Sequence, residues 1–254
     1  MATLFVSDLH LPDEPSPLRE GFLHLLRGPA RSADAVYLLG DVFEYWIGDD
    51  VGLRRYAPEA EALRALTAAG VPVWFMHGNR DFLVGHRFCG TTGVRLLRDP
   101  TLIELDGRPV LLSHGDRWCT DDVAYQRWRR FARNPLAQWL FLRLPVPLRQ
   151  RIAGDVRGRS TSAKRNKAEA IMDVNAAAVA AAFGLHHTAC IVHGHTHRPA
   201  DHRLALDGVQ AQRIVLADWR TEHMEYLSAN AGGFTRVRIT AGQTSKKPTL
   251  RGTF

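Results

Sequence analysis

Cysteine is scarce in this 254-residue chain: Cys89, Cys119 and Cys190 are scattered, odd in number, and show no C-x-x-C spacing. That excludes a disulfide framework and a thiolate zinc site, and it points to a reducing compartment. No leader is expected either. The opening MATLFVSDLH has no basic n-region and meets Asp8 after a few mostly apolar residues, so no signal peptide is expected. Long apolar runs are also absent; the longest charge-free one, around Val174–Leu185, is mostly alanine and too short to span a bilayer. No internal repeat is visible, and no Gly-rich or RNP-like aromatic motif marks a dedicated RNA-binding module. These absences leave a soluble cytoplasmic protein, one still able to touch a membrane surface.

What is present is an ordinary globular composition, 45% hydrophobic and 23% charged, on a chain long enough for a large core. One domain with an insertion, or two small domains, is expected. The formal net charge of +7 is unevenly spread. Residues 127–167 hold 12 Lys and Arg against the single acid Asp155, so all the positive excess lies in one segment. Such a segment attracts phosphates, nucleic acid or acidic headgroups.

Short β-rich apolar runs recur and each ends in polar residues. The pattern predicts strands at about 3–7, 35–39, 72–76, 109–113 and 189–193, followed by Asp8 and His10, by Gly40 and Asp41, by Asn79 and Arg80, by His114, and by His195 and His197. Near-continuous apolar strands imply burial on both faces. Helical patterns cover Ser16–Leu26 and Pro58–Ala69, and Arg203–Ile239 reads as several antiparallel strands. The basic segment interrupts this order: it begins as a Trp/Arg-rich helix, breaks at Pro145 and Pro147, and resumes as a long helix over about Ala163–Phe183 stopped by Gly184. The expected class is α/β, built on a sheet sandwich, with a helical cap inserted at about 118–170 and a loose tail from 246 to 254.

Asp8, His10, Asp41, Asn79, His114, His195 and His197 therefore come from five strand-end loops, where α/β folds place their sites. Mixed imidazole, carboxylate and carboxamide ligands suit Mn, Fe or Zn. Seven are too many for one catalytic ion with an open position and about right for two sharing a carboxylate. In "HGHTH", residues 193–197, three histidines alternate, so in an extended strand they would share a face. Gly194 lets the backbone approach a neighbour closely.

The ordered motifs D-x-H, G-D, G-N-x-D, H-G and G-H-x-H resemble those of the calcineurin-like metallophosphoesterases. The resemblance implies a β-sandwich flanked by helices, in four αββα layers, with 1–117 and 171–245 as the core. It also implies one metal held by Asp8, His10, Asp41 and His197 and a second held by Asp41, Asn79, His114 and His195, leaving His193 structural. Most of that superfamily carries His after the Asn; this chain has Arg80, which cannot serve as a general acid but can clamp phosphate oxygens with a planar fork. "GNRDF", "GDVFEYWIGDD" and "IMDVN", together with the cap, are similar to the UDP-2,3-diacylglucosamine hydrolase family of lipid A biosynthesis. That closer resemblance implies an acid-anhydride hydrolase with two Mn ions at the cytoplasmic face of the inner membrane, attacking the α-phosphorus. Asn79, Arg80, Asp122, Ser160, Lys164, Lys167 and His195 match substrate-contacting positions, with Tyr125 and Arg157 as further contacts and Arg80, Asp41 and His195 closest to the chemistry.

The cap's Trp128, Phe131, Leu136, Trp139, Leu140, Phe141 and Leu142 read either as an acyl-chain groove flanked by basic residues or as packing against the core, about half of them by the latter reading. The expected partners are the lipid-linked nucleotide sugar and an anionic membrane surface, with no specific nucleic acid and no obligate protein partner. The rival readings are a hydrolase of the same superfamily acting on a soluble phosphodiester or nucleotide, and a metal-free scaffold or RNA-binding protein using the basic segment.

Overall fold

The computed structural model describes residues 2–165, 173–206, 208–240 and 243–248; side chains are described for these except 159–165, 240 and 243–248. Twelve strands form two sheets among the described residues. The first contains β1 (Ala2–Val6), β2 (Ala33–Leu38), β3 (Val73–Met76) and β4 (Arg95–Leu97), all parallel, extended past β1 by antiparallel β10 (Glu225–Asn230), β11 (Gly233–Thr240) and β12 (Gln243–Pro248). The second runs β5 (Thr101–Leu105), β6 (Arg108–Ser113), β7 (Cys190–His193), β9 (Val209–Val215) and β8 (Ala200–Leu206). Its three central strands are parallel, and its two edges are antiparallel.

Three apolar clusters separate four layers. Phe5, Leu39, Met76, Val110, Leu112, Val192 and Ile214 fill the space between the sheets. Leu4 and Val6, the alternate residues of β1, face the other way and pack with Phe22, Leu25 and Leu26 of α1 (Pro17–Arg27) and Leu63 and Leu66 of α3 (Ala57–Ala68). On the far side Leu111 and Ile191 meet Val179, Ala182 and Phe183 of α8 (Ala176–Leu185). Because strand side chains alternate between faces, burial on both faces demands an unbroken apolar run. That is the pattern of these strands, and the four-layer expectation holds.

The remaining helices are α2 (Asp49–Arg55), α4 (His86–Thr92), and three in the insertion: α5 (Val123–Ala132), α6 (Pro135–Arg143) and α7 (Val146–Arg165). The single helix expected over 163–183 is instead two. Helix α7 starts at Val146 and α8 begins afresh after Asn175, whose side chain accepts from Ala178 N at 3.0 Å and donates to Asp121. A good N-cap of this kind fixes a new helix start that periodicity alone does not reveal. Gly184 does not stop α8, which runs to Leu185, since its backbone is not left-handed. Residues 243–248 pair with β11 as β12 rather than trailing as a loose tail, so the sheet extends beyond the expected core boundary at 245.

The insertion is held to the core by charge. Arg149 is buried at the start of α7, donating to Ile47 O at 2.6 Å and forking onto the Asp50 carboxylate. Asp116, fully buried, accepts from Tyr125 Oη at 2.7 Å, Arg129 Nε at 2.8 Å and Arg133 at 3.2 Å, all on or just after α5. By contrast α5 buries only Ala132 and α6 buries no residue. Of the seven apolar cap residues, Phe141 packs against the core, while the other six are exposed, Phe131 to 61% and Leu136 to 65%. The expectation that about half would bury is corrected accordingly.

Candidate active site

Every expected ligand sits just beyond the C-terminal end of a parallel strand, and the loops are stitched to one another. Asp8 N donates to Gly40 O and His10 N to Asp41 O, each at 3.0 Å. The fully buried Asp81 accepts from Gly78 N (2.8 Å), Asp41 N (3.3 Å) and Val42 N (2.8 Å), tying the Gly-Asp loop to the Gly-Asn-Arg-Asp loop. Burial first, and the Asp41 charge second, push its carboxyl up to about 7. Asp8, His10, Asp41, His195 and His197 all have φ between 47° and 72°. Five non-glycine residues in the left-handed region, all in one site, are strain that the surrounding hydrogen bonds must hold.

The side chains converge. His10 Nε2 lies 3.2 Å from His197 Nε2 and 4.0 Å from both Asp8 Oδ1 and Asp41 Oδ2. His197 Nε2 is 3.4 Å from Asp8 Oδ1. His114 Nε2 lies 3.2 Å from Asn79 Oδ1 and 3.8 Å from Asp41 Oδ1. The His195 ring stands edge-on to His114 at 5.0 Å. Two groups have ligand atoms within 4.8 Å of one another, Asp8–His10–His197 and Asp8–Asp41–His114. Asp8 thus reaches both, and the two oxygens of Asp41 face His10 and His114 respectively. All seven expected ligands lie in one site.

The convergence of the histidines has a different origin from strand alternation. Only His193 is in β7; His195 and His197 reach the site from a loop turned by left-handed residues. His193 points away, donating from Nδ1 to Gly194 O at 2.8 Å, accepting from Arg213 at 3.4 Å, and packing edge-on against Trp118; burial keeps it neutral, down to about 3. The structural reading of His193 holds. A side chain at Gly194 would strike the Asp8 carboxylate and Ser7, which is the close approach expected there.

The electrostatics fit bound cations. Asp8 Oδ1 is buried with no hydrogen-bond partner, while Oδ2 accepts from Ser7 Oγ (2.6 Å) and His195 N (2.8 Å). A buried carboxylate oxygen without a donor is costly unless a cation faces it. Burial opposes charge on His114, but Asp41, Asp8 and Asp116 carry it to about 9. Carboxylates that gather a proton onto an imidazole form a place a dication would take instead. Its Nδ1 donates to Leu39 O at 2.9 Å, so Nε2 is the ligand atom. Burial, then the His114 charge, push His195 down to about 4; burial also lowers His10. For Asp8, burial is outweighed by His197, 3.4 Å from Oδ1, and by the other nearby imidazoles, which hold it well below the usual carboxylate range. Neutral imidazoles beside ionised carboxylates are the forms that bind metal.

Of the expected substrate contacts, Arg80 and Tyr125 touch this centre. Arg80 N donates to Asp41 Oδ1 at 2.8 Å, and its guanidinium pairs with Glu44 at 3.1 Å. Tyr125 stacks on His195 at 5.8 Å between centroids. Arg157, on α7, reaches Glu44 at 3.7 Å. Asp122 caps α5 by accepting from Tyr125 N at 3.0 Å. The side chains of Ser160 and Lys164, and the whole of Lys167, lie outside the described residues. Sequence reasoning missed three acids here: Glu44, which touches Arg80, Arg157 and, at 3.5 Å, His10; Asp218, 3.7 Å from His197; and Asp116. Glu44 was visible inside "GDVFEYW", three residues past Asp41, but nothing in that spacing marks its role.

Comparison with known proteins agrees with this geometry. A profile for calcineurin-like phosphoesterases matches residues 1–199. UDP-2,3-diacylglucosamine hydrolase of Serratia proteamaculans is 50% identical over 232 residues, 91% of this chain and 97% of that protein. The Yersinia pestis protein of the same name is 49% identical over 222 residues, 87% and 92% of the two chains. Among solved structures, a dimetal phosphatase from Danio rerio aligns over 97% of this chain and 98% of its own, at 14% identity and a TM-score of 0.49. With half its residues shared across nine-tenths of its length, the chain belongs to the UDP-2,3-diacylglucosamine hydrolase family of calcineurin-like phosphoesterases.

Proposed function

We propose that this chain hydrolyses the pyrophosphate of UDP-2,3-diacylglucosamine to UMP and 2,3-diacylglucosamine 1-phosphate, a step of lipid A biosynthesis. The observation that carries the reading is the gathering of seven ligand-type side chains, with Arg80 beside them, in a chain half identical to hydrolases named for that substrate. Asp8, His10, Asp41 and His197 would hold one Mn ion and Asp41, Asn79, His114 and His195 the other. Such ions supply Lewis acidity, lowering the pKa of water and polarising a phosphoryl oxygen.

The chain's own groups do the rest. Asp81 and the Asp8–Gly40 and His10–Asp41 backbone bonds keep the ligand loops in register. Arg80, anchored by Glu44, neutralises charge that grows on the phosphoryl oxygens in the transition state. It holds its proton throughout, and the departing sugar phosphate, a good leaving group, needs none. His195, braced by Tyr125, faces the same oxygens. The α-phosphorus, next to uridine, is the one attacked, with the acylated sugar phosphate anchored under the cap by Asp122, Tyr125, Arg157, Ser160, Lys164 and Lys167. The exposed Trp128, Phe131, Leu136, Trp139, Leu140 and Leu142 beside Arg127, Arg130 and Arg143 fit acyl chains and an anionic surface, which supports a peripheral place on the inner membrane.

Hydrolysis in ¹⁸O-labelled water tests the reading. The label is expected in UMP and not in the lipid phosphate, with activity abolished by chelation and restored best by Mn. Label in the lipid product reverses the proposed pose, and no turnover of this substrate refutes the function.

A further inference from the structure

The ligand loop of His195 and His197 also forms one wall of a cavity of about 230 Å³, which no step above uses. Asp173, Thr196, Arg198, His202 and Arg213 line it among three apolar residues. Thr196 and Arg198 flank His197 in sequence, so the cavity adjoins the metal centre directly. A second, far smaller cavity lies on the cap side, where Asn79 meets Phe82, Tyr125 and Trp128; the two share no residue. The cap-side cavity is aromatic and basic, whereas the one beside His197 carries an acid, two arginines, a histidine and a threonine.

The cavity beside His197 has charged groups to offer a ligand. His202 and Arg213 are directly paired across β8 and β9. Arg213 is half buried, and its guanidinium makes one side-chain hydrogen bond, to His193 Nε2 at 3.4 Å, with no carboxylate within ion-pair distance among the described residues. Five N–H donors with one engaged leave several to offer. Asp173 Oδ1 accepts from Val174 N at 2.7 Å and Oδ2 from Arg198 at 3.3 Å, and Thr196 Oγ1 is buried without a hydrogen-bond partner among the described residues. The spare donors of Arg213 suit part of an anionic ligand.

We infer that this cavity receives the nucleoside half of the substrate, its uracil and ribose, with the scissile phosphoryl group over the metal ligands and the acylated sugar under the cap. The inference rests on the proposed function. Uracil presents a donor, N3–H, between two carbonyl acceptors, and the cavity presents both a carboxylate, Asp173, and the donors of Arg213. The volume is below the roughly 300–1,000 Å³ of drug-sized sites; it is on the scale of a nucleoside and too small for a diacylated sugar. Cytosine has a bare acceptor at N3 and an amino group at C4, so Asp173 and Arg213 oppose it. The cavity should therefore read uracil against cytosine.

The test uses the full-length Mn-loaded enzyme with bis(4-nitrophenyl) phosphate as a reporter and UMP, CMP and inorganic phosphate as inhibitors. Wild type should be inhibited at least tenfold more tightly by UMP than by CMP or phosphate. Arg213→Ala should remove that advantage. Asp173→Asn, which can donate to cytosine N3, should bring CMP within about threefold of UMP. Reporter turnover should stay within twofold of wild type in both. If Arg213→Ala perturbs folding through His193, the change of base preference in Asp173→Asn decides alone. Inhibition of wild type by UMP no tighter than by phosphate, or an unchanged preference in Asp173→Asn, overturns the assignment. An enzyme that cleaves UDP-2,3-diacylglucosamine yet fails here overturns the cavity alone; one that does not cleave it overturns the parent reading.

Discussion

Replacing Asp81 by alanine removes one side chain and strands three buried backbone N–H groups, those of Gly78, Asp41 and Val42. Each unsatisfied buried donor costs about 1–3 kcal/mol. The 3.3 Å bond to Asp41 counts at the low end, and water entering the vacated space recovers part of the rest. The sum is about 3–6 kcal/mol, a large share of the ~5–15 kcal/mol that holds a domain together. At about 2–4 °C per kcal/mol for a chain of this size, the melting temperature should fall by about 10–20 °C. Asp81→Asn keeps one oxygen for two of the donors but turns an amide N–H toward the third, so a loss of about 1–3 kcal/mol is expected. The same substitutions separate the loops carrying Asp41 and Asn79, so Mn affinity, followed by titration of the metal-free protein, should weaken in the same order. An alanine variant that melts within 2 °C of wild type and binds Mn equally well refutes the idea that Asp81 ties these loops together.

Other perturbations read different parts of the site. Asp41→Ala should disturb both ions, since its two oxygens face His10 and His114, so it should reduce the bound Mn measured on the purified protein at least as much as Asp8→Ala and by more than His197→Ala does. Arg80→Ala should lower kcat by about 10²-fold, the scale of a lost transition-state charge contact, with Arg80→Lys recovering only part. Trp128→Ala combined with Phe131→Ala should raise KM for the diacylated substrate and weaken binding to anionic vesicles while sparing a small chromogenic diester; equal losses on both substrates would mean a folding defect. His193, near 3 in the fold against about 6.5 unfolded, makes the unfolded chain the stronger proton binder between those values. Stability should fall as pH drops below 6.5, by up to about 1.4 kcal/mol per pH unit from this group. His193→Asn should flatten that slope in urea titrations of the metal-free protein.

The four layers and the gathering of ligand-type side chains were legible because both are written in local pattern. An apolar run buried on both faces and a polar residue just past its end survive any detail of packing, so Asp8, Asp41, Asn79 and His114 announce themselves. What was not legible depends on partners far apart in the chain. Asn175 restarts a helix by capping it and by bonding Asp121, 54 residues earlier. Residues 243–248 are polar and basic, yet β11 offers an open edge, and pairing to it needs no apolar side chain. The histidine alternation misled for a related reason: the strand ends at His193, and left-handed turns place the next two histidines.

The cap shows why apolar content alone does not tell packing from binding. Composition invites the reading that its Trp, Phe and Leu side chains anchor the insertion, but α5 and α6 bury almost none of them. The anchoring is done by carboxylates and the groups they hold: Asp116 takes the Tyr125 hydroxyl, Arg129 and Arg133, Asp99 also takes Arg129, and Asp50 takes Arg149. Asp99 and Asp116 are buried, so salt screens the Asp116 cluster far less than surface pairs. Arg133 donates as well to the carbonyls of His77 and Gly78, so the charges that fix the cap also brace the loop carrying Asn79 and Arg80. Holding the insertion by hydrogen-bonded charge leaves its apolar surface uncommitted. For a fold of water-exposed helices that is an unfavourable arrangement, with exposed side chains such as Leu136, Leu140 and Trp139 gaining nothing in solution. It becomes favourable when acyl chains cover them, at about 0.8 kcal/mol for each methylene buried. An amphipathic lipid with a phosphorylated head supplies both the chains and the anion that this combination of basic and apolar side chains lacks.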